Sequence, residues 1–139
     1  MISRDVKIEI DGVLKTAKFE CDRKTNTMTI QMPDEAIRTY TATDLYTCLG
    51  KIRRDFPHVK FLCKGAKINV HPSRMSSQMS GGIIAYEVIN GEPADDDRIV
   101  NIFDYENQDI TNNIQAQINH YHEWIKSLNK NSTPENENN

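Results

Sequence analysis

The first thirty residues limit the fold most, because an alternation of apolar and polar side chains is interrupted there by an Asp-Gly pair. In residues 4–10 three alternate side chains are apolar and those between them are charged, which predicts a strand with one solvent-facing side. Asp11-Gly12 favours a two-residue hairpin turn, since both positions tolerate positive φ. Residues 13–21 and 27–32 continue the pattern. The chain is therefore predicted to open with a three-stranded antiparallel meander.

Residues 43–57 predict the first of two longer helices. Thr43 is the expected N-cap, because its hydroxyl can accept a hydrogen bond from a first-turn amide, and Pro57 ends the segment. The apolar side chains between them fall on one helical face: Leu45, Cys48, Leu49, Ile52 and Phe56. This face is expected to pack on the sheet. The preceding segment, residues 33–42, predicts a fourth short strand. A helical turn at the start of this segment is compatible with the sequence.

The second longer helix is predicted to begin at Asp109. Its apolar side chains recur every three or four residues and predict one buried stripe: Ile110, Ile114, Ile118, Tyr121, Ile125 and Leu128. Gln117 and Trp124 are expected to flank that stripe. A short helix is also predicted, with Ser73 as its N-cap and Gly81-Gly82 at its end.

The remaining segments predict strands and a hairpin. Residues 83–89 and 98–103 form the predicted C-terminal hairpin, and apolar residues on both faces of the second strand indicate a central position. We therefore predict an α+β protein, in which an antiparallel sheet, made of the N-terminal meander and the C-terminal hairpin, packs against two longer helices and one short helix. Residues 1–130 are predicted to form one domain, and the polar residues 131–139 a disordered tail.

Composition suggests a cytoplasmic protein. The chain has 139 residues and a mean hydropathy of -0.65, and no apolar run approaches the ~20 residues that cross a bilayer. Charges occupy the N-terminal positions where a signal peptide needs an apolar core. Cys21, Cys48 and Cys63 are widely spaced, so we expect buried, reduced thiols rather than a disulfide framework or a zinc site.

Charge is distributed in two consecutive blocks of opposite sign. Residues 51–74 contain seven basic residues and one acidic residue, a net charge of +6, whereas residues 87–109 contain eight acidic residues and one basic residue, a net charge of -7. Either the blocks face each other and neutralise, or one of them recognises a charged partner. The acidic block contains the candidate partner-binding residues: Asp95, Asp96, Asp97, Asp104, Glu106 and Asp109.

The sequence lacks the motifs that are typical of metal sites and of catalytic sites. His120 and His122 are two residues apart on a predicted helix, so they point about 200° apart and cannot share a metal from that helix. The acidic block lacks the spacing of an EF-hand loop. No nucleophile elbow or other catalytic constellation is present. We therefore expect neither a metal, a cofactor nor catalytic residues, and we do not expect nucleic acid as a partner, since the net charge is -3.

A small-ligand or anion-binding domain, with or without enzymatic activity, is the alternative interpretation. It centres on residues 64–74, where Lys64, His71, Ser73 and Arg74 stand close in sequence to a predicted helix start. Free amides at a helix N-terminus and nearby cations are the groups that bind anions. The segment lacks the GxxxxGK[ST] pattern of a phosphate loop.

The central segment also carries a resemblance. The run from Cys63 to Met75 (CKGAKINVHPSRM), followed by Gly81-Gly82 and Ala85-Tyr86, resembles small bacterial immunity proteins of toxin–immunity systems, including contact-dependent growth inhibition. The resemblance implies a non-enzymatic cytoplasmic protein that binds and blocks a cognate toxin domain, often a nuclease with a basic active site. The acidic block predicted above is compatible with such a partner.

Overall fold

Residues 1–132 are described by the computed structural model, and eight strands and three helices lie within them. The strands are β1 (Ile2–Ile10), β2 (Val13–Asp22), β3 (Thr27–Gln31), β4 (Ile37–Thr41), β5 (Val59–Phe61), β6 (Val70–His71), β7 (Ile84–Glu87) and β8 (Ile99–Asn101). The helices are α1 (Leu45–Asp55), α2 (Arg74–Ser80) and α3 (Ile114–Ser132). This arrangement confirms the predicted α+β class.

The strands form two antiparallel sheets. The larger has the order β4-β3-β2-β1-β5, and the smaller has the order β6-β7-β8. Strands β1 and β2 pair along their whole length, and the turn between them places Asp11 at φ 52° and Gly12 at φ 78°. The predicted meander and hairpin turn are therefore confirmed, and β4 adds the fourth strand. The predicted C-terminal hairpin belongs to the second sheet.

One hydrophobic core connects both sheets and α1. Phe19 on β2 lies at its centre, with ring centroids 6.5 Å from Phe61 and 5.8 Å from Phe103. Alternate side chains of β1 to β3 and the apolar face of α1 complete this core. Burying each such side chain contributes about 1.5–3 kcal/mol to folding. Because the alternating and helical sequence patterns place these side chains on one face of each element, those apolar faces pack against each other.

Helix α1 begins one residue later than predicted. The N-cap is Asp44 rather than Thr43, and its Oδ1 accepts a hydrogen bond from the Thr47 N–H at 2.7 Å. Its other carboxylate oxygen accepts a hydrogen bond from the Ser77 hydroxyl on α2. A carboxylate has two acceptor oxygens, so Asp44 caps one helix and holds a second, which a threonine cannot do.

The prediction that Asp109 opens the last helix was wrong. Asp109 has φ 57°, outside the right-handed helical region, and its carbonyl accepts a hydrogen bond from Ile68 N–H. Helix α3 begins at Ile114. Asn113 Oδ1 accepts a hydrogen bond from the Ala116 N–H in its first turn.

The buried face of α3 also differs from the predicted stripe. Gln117 and Trp124 are buried, whereas Ile125 is 39% exposed. Helix α3 extends to Ser132, two residues into the predicted polar tail. Residues 133–139 of that tail lie outside the described part of the chain.

Strand β8 lies at an edge of the smaller sheet, so its predicted central position was wrong. Its Ile99 side chain is 42% exposed. The apolar residue that suggested a second buried face therefore points to solvent.

Arg53 on α1 is fully buried and joins three segments. Its guanidinium donates to the carbonyl oxygens of Thr111 (2.7 Å) and Gly65 (3.3 Å) and to Gln117 Oε1 (2.9 Å). Burial lowers the pKa of the Arg53 side chain. Gln117 Nε2 in turn donates to the carbonyls of Gly65 and Lys67. This network attaches α3 to α1, since buried polar groups require hydrogen-bond partners.

The three cysteines are buried and unpaired, as predicted. Burial raises the pKa of Cys21 to about 12 and the pKa of both Cys48 and Cys63 to about 11. Thiols with such pKa values are poor nucleophiles at neutral pH. Among residues 1–132, no helix is long and apolar enough to cross a membrane.

Candidate binding surfaces

Five acidic residues lie before and after strand β8 along the chain. Asp95, Asp96 and Asp97 precede the strand in and beside a 3₁₀ turn, Asp104 follows it, and Asp109 lies further along the same connection to α3. All five are exposed, and none forms an ion pair with a side chain that the structure describes. We call these five residues the acidic surface. Their charges are available to a partner.

The edge strand between these acids contributes an apolar contact. Ile99 projects from it into solvent, and Val100 is half-buried. Arg98, the basic residue of this block, is engaged by Glu92, with 2.7 Å between Nη2 and Oε1. The acidic surface therefore keeps its negative character around a small apolar centre.

Glu106 differs from the other predicted partner-binding residues, because it belongs to a compact group of four charged side chains. Lys64 and Lys67 each donate to both Glu87 and Glu106, with Nζ–Oε distances of 2.8 to 2.9 Å. We call these four residues the Lys–Glu cluster. Here the basic and acidic blocks face each other and neutralise. Glu106 is thus engaged within the protein, as is Lys64.

The Lys–Glu cluster predicts a specific acid sensitivity. Hydrogen bonds from Lys64, supported by Lys67, lower the pKa of Glu106 from 4.5 to about 2. A carboxyl group whose pKa is lowered on folding stabilises the protein above its unfolded pKa, and this stabilisation is lost as pH falls through the folded pKa. Glu106→Gln is therefore expected to reduce the loss of unfolding free energy between pH 4.5 and pH 2, measured by urea denaturation at several pH values.

Asp104→Asn is the matched control for this measurement. Asp104 is exposed and two residues away from Glu106. The control should follow the wild-type pH dependence. If Glu106→Gln also follows it, the ion pairs of Glu106 contribute nothing to acid stability.

Three of the four candidate anion-binding residues come together, and Lys64 lies apart from them. His71, Ser73 and Arg74 line one open cavity beside α2, and Lys64 lies in the Lys–Glu cluster instead. Asp44 lines the same cavity. Ser73 Oγ accepts a hydrogen bond from the Ser76 N–H, so the predicted cap is confirmed and one of the free amides of α2 is occupied. A carboxylate and an occupied amide make this cavity unfavourable for an anion.

His71 separates that open cavity from a smaller, more enclosed one. Its imidazole stacks on the Tyr121 ring at 4.2 Å between centroids, with 18° between the planes, and Tyr46 lies on another side at 5.2 Å. Its Nδ1 lies 2.8 Å from the Pro72 carbonyl. Burial lowers the pKa of His71. The imidazole is therefore predominantly neutral at pH 7.

The smaller cavity has a volume of about 220 Å³ and lies between α3, β7 and the loop before β8. Seven residues line it: His71, Ser73, Tyr86, Val88, Ala94, Tyr121 and Trp124. Four of the seven are aromatic rings, and we call this site the aromatic cavity. Sequence reasoning placed Tyr121 in the buried stripe of α3 and Trp124 beside that stripe, and it did not associate either residue with Tyr86.

Neither a metal site nor a relative of known function helps to assign a role to these surfaces. Within the described part of the chain, no group of three or more His, Cys, Asp or Glu side chains could hold a metal ion. No protein-family model matches the chain, and no curated protein matches it at a significant level. Function is therefore inferred from the acidic surface.

Proposed function

We propose that this protein is an immunity protein that binds and neutralises a cognate toxin domain through the acidic surface. The expected partner is a basic domain, such as a nuclease, and the expected compartment is the cytoplasm. The observation that carries the proposal is the group of five exposed carboxylates without cation partners among the described side chains. Such a surface attracts a basic protein and excludes acidic ones.

The composition around β8 supports a protein partner. Interfaces between proteins combine an apolar centre with a polar rim. Ile99 supplies exposed apolar area, and Asp95 to Asp97 and Asp104 supply the charged rim on either side of it. The edge backbone of β8 can also pair with an extended segment of a partner.

The anion-binding alternative receives less support. Lys64 is held by two glutamates, and Asp44 adds negative charge to the cavity that contains His71, Ser73 and Arg74. The immunity role is therefore the better supported of the two functions.

The proposal is tested with a basic toxin domain encoded beside this protein in its own host. The tagged protein should capture that domain in a one-to-one complex, and adding it should abolish the toxin's activity. Affinity should fall as salt is raised, because exposed charges are screened within about 10 Å at 0.1 M salt. A complex that forms without inhibiting the toxin would overturn the proposed function.

Neutralising Asp95, Asp96 and Asp97 to asparagine is expected to weaken this complex about tenfold or more. Exposed ion pairs contribute roughly 0.2–1 kcal/mol each, so three together reach the 1.4 kcal/mol that corresponds to a factor of about ten. The loss should occur mainly in the association rate, measured by surface plasmon resonance at low and high salt.

The matched control neutralises three exposed acids on the larger sheet: Asp5→Asn, Asp11→Asn and Glu20→Gln. This variant has the same net charge as the first, so a general effect of charge alters both equally. The acidic surface is specifically involved only if the Asp95–Asp97 variant loses more affinity than the control.

A further inference from the structure

We propose that the Asn90-Gly91 pair is a site of spontaneous deamidation, and that a hydrogen bond from Gly91 to Ser127 on α3 sets the rate of the reaction. Asn90 is the only asparagine of the sequence that precedes a glycine. Glycine has no Cβ atom to obstruct the approach of its backbone nitrogen to the preceding side chain, and its backbone turns freely. Water is the only co-reactant, so the reaction takes place with or without a toxin partner.

The pair lies where solvent reaches it. Asn90 is exposed, in the loop that connects β7 to β8. The chain makes a turn here, in which the Ile89 carbonyl accepts a hydrogen bond from the Glu92 N–H at 3.0 Å. Gly91 has φ 82° at the third position of this turn, a conformation that glycine adopts without strain. Asn90 is therefore accessible to the water that the second half of the reaction consumes.

The reaction forms and breaks bonds within these two residues. The Gly91 backbone nitrogen loses its proton to base and attacks Asn90 Cγ. The side-chain NH₂ group takes up a proton and leaves as ammonia, and a five-membered succinimide ring results. Water then opens the ring: opening at Cγ gives aspartate, and opening at the backbone carbonyl carbon gives isoaspartate, in which the main chain runs through the former side chain. One water is consumed, one ammonia is released, and nothing is oxidised or reduced.

The fold restrains the attacking nitrogen. Gly91 N–H donates a hydrogen bond to Ser127 Oγ at 2.8 Å, and the Ser127 hydroxyl donates to the Trp124 carbonyl at 2.5 Å. The nitrogen must give up its bond to Ser127 before it attacks Asn90, because the loss of its proton breaks that bond. Losing a hydrogen bond of ordinary strength corresponds to a factor of about two to ten in rate.

Deamidation changes both the charge and the geometry of the loop. A carboxylate at position 90 takes the net charge of residues 88–98 from -3, the sum of four acidic residues and one basic residue, to -4. Isoaspartate also adds one carbon atom to the main chain between residues 90 and 91. This loop is bonded to α3 through Gly91 and through the Glu92 carbonyl, which accepts from Trp124 Nε1 at 2.8 Å. The longer main chain therefore displaces the attachment and changes the environment of Trp124.

The experiment follows the purified full chain by mass spectrometry during incubation at neutral and at mildly alkaline pH. Trypsin, which cleaves after lysine and arginine, releases residues 75–98 as one peptide that contains Asn90 as its only asparagine. Exchange of NH₂ for OH raises the mass of this peptide, and chromatography separates its aspartate and isoaspartate forms. We expect both forms to accumulate, and to do so faster at the higher pH, because the attacking nitrogen must lose its proton.

A synthetic peptide of residues 86–95 gives the rate without the fold. We expect the protein to react about two- to tenfold more slowly than this peptide, the factor that the bond to Ser127 supplies. If residues 75–98 stay unmodified in the protein long after the peptide is fully converted, the proposed site is wrong. If protein and peptide react at equal rates, the hydrogen bond does not set the rate.

Ser127→Ala tests the hydrogen bond within the protein. This variant is expected to deamidate about two- to tenfold faster than the wild type, whereas Ser127→Thr, which keeps the hydroxyl group, should stay within about twofold of it. Gln115→Ala is the control, because Gln115 is exposed in the first turn of α3. Circular dichroism verifies that each variant is folded during the incubation. Equal rates for Ser127→Ala and the wild type would overturn the role of Ser127.

Trp124 provides a second readout, because it is the only tryptophan of the chain and is 7% exposed. Its fluorescence emission should shift to longer wavelength in proportion to the isoaspartate fraction, since the indole loses its bond to the loop. Asn90→Asp introduces the same charge with an unaltered main chain and should keep the wild-type emission. Unchanged emission in a sample rich in isoaspartate would overturn the predicted effect on α3.

Discussion

Replacing Arg53 with methionine is expected to lower the free energy of unfolding by about 2–5 kcal/mol. Methionine fills a similar volume but donates no hydrogen bond, so the Thr111 carbonyl and Gln117 Oε1 would lose their donors inside the protein. Each buried acceptor left without a partner costs about 1–3 kcal/mol. Urea denaturation followed by Trp124 fluorescence and by circular dichroism measures the change.

Arg54→Met is the matched control, since it removes the same side chain one residue later on α1. The Arg54 side chain is 62% exposed and pairs with the neighbouring Asp55, at 3.1 Å. Exposed ion pairs contribute little, so the expected change is within about 0.5 kcal/mol. Equal losses for the two variants would mean that the Arg53 network does not stabilise the fold.

Gly65→Ala is expected to destabilise the protein by about 1–3 kcal/mol through overpacking. A Cβ atom at this position would lie 2.6 Å from Leu49 Cδ2 and 2.9 Å from Ile102 Cβ. Both neighbours are fully buried, so neither can move away without disturbing the core. The midpoint of thermal unfolding gives the direction, and urea denaturation gives the magnitude.

Gly50→Ala makes the same chemical change in a different setting. Gly50 lies inside α1, and the nearest atoms to an added Cβ would belong to Ile114, with Cγ1 at 3.1 Å. Alanine favours helix over glycine by about 1 kcal/mol, which offsets the closer contact. A change within about 1 kcal/mol is expected, and a loss as large as that of Gly65→Ala would argue against a special role for the close packing at Gly65.

Local patterns predicted the N-terminal half well because its structure is local. The β1–β2 pairing depends on alternation and on a turn at Asp11-Gly12, both contained in about twenty residues. The same holds for α2, which begins after Ser73 and ends at Gly81, where φ is 66°. Short-range signals suffice when the hydrogen-bond partners are near in sequence.

The errors occur where distant segments compete with local propensity. Asp109 is a good residue for a helix start, yet its carbonyl accepts a hydrogen bond from the Ile68 N–H and its φ of 57° lies outside the helical region. Gln117 is polar and was placed beside the buried stripe of α3, yet it is buried because Arg53 and the Gly65 carbonyl supply its partners. These partners lie 52 to 64 residues away, beyond what periodicity can reveal.

The candidate sites show the same limit. The opposite charge blocks were evident in sequence, but which charges pair depends on the fold that brings Lys64 and Lys67 to Glu87 and Glu106. The exposure of Asp95 to Asp97 could be predicted, because these residues lie in the polar loop of the predicted C-terminal hairpin. The aromatic cavity needed tertiary structure, because β7 and α3 supply its rings from positions about 35 residues apart.

The Arg53 network also bears on the order in which the fold can form during synthesis. Arg53 leaves the ribosome long before Thr111 and Gln117, its acceptors 58 and 64 residues downstream. Until residues 111–117 have been synthesised, the Arg53 guanidinium lacks two of the acceptors that it has in the folded protein, and burying it without them would be costly. We therefore expect the β1–β2 hairpin to pair early and the full burial of Arg53 to follow the synthesis of the α3 N-terminus.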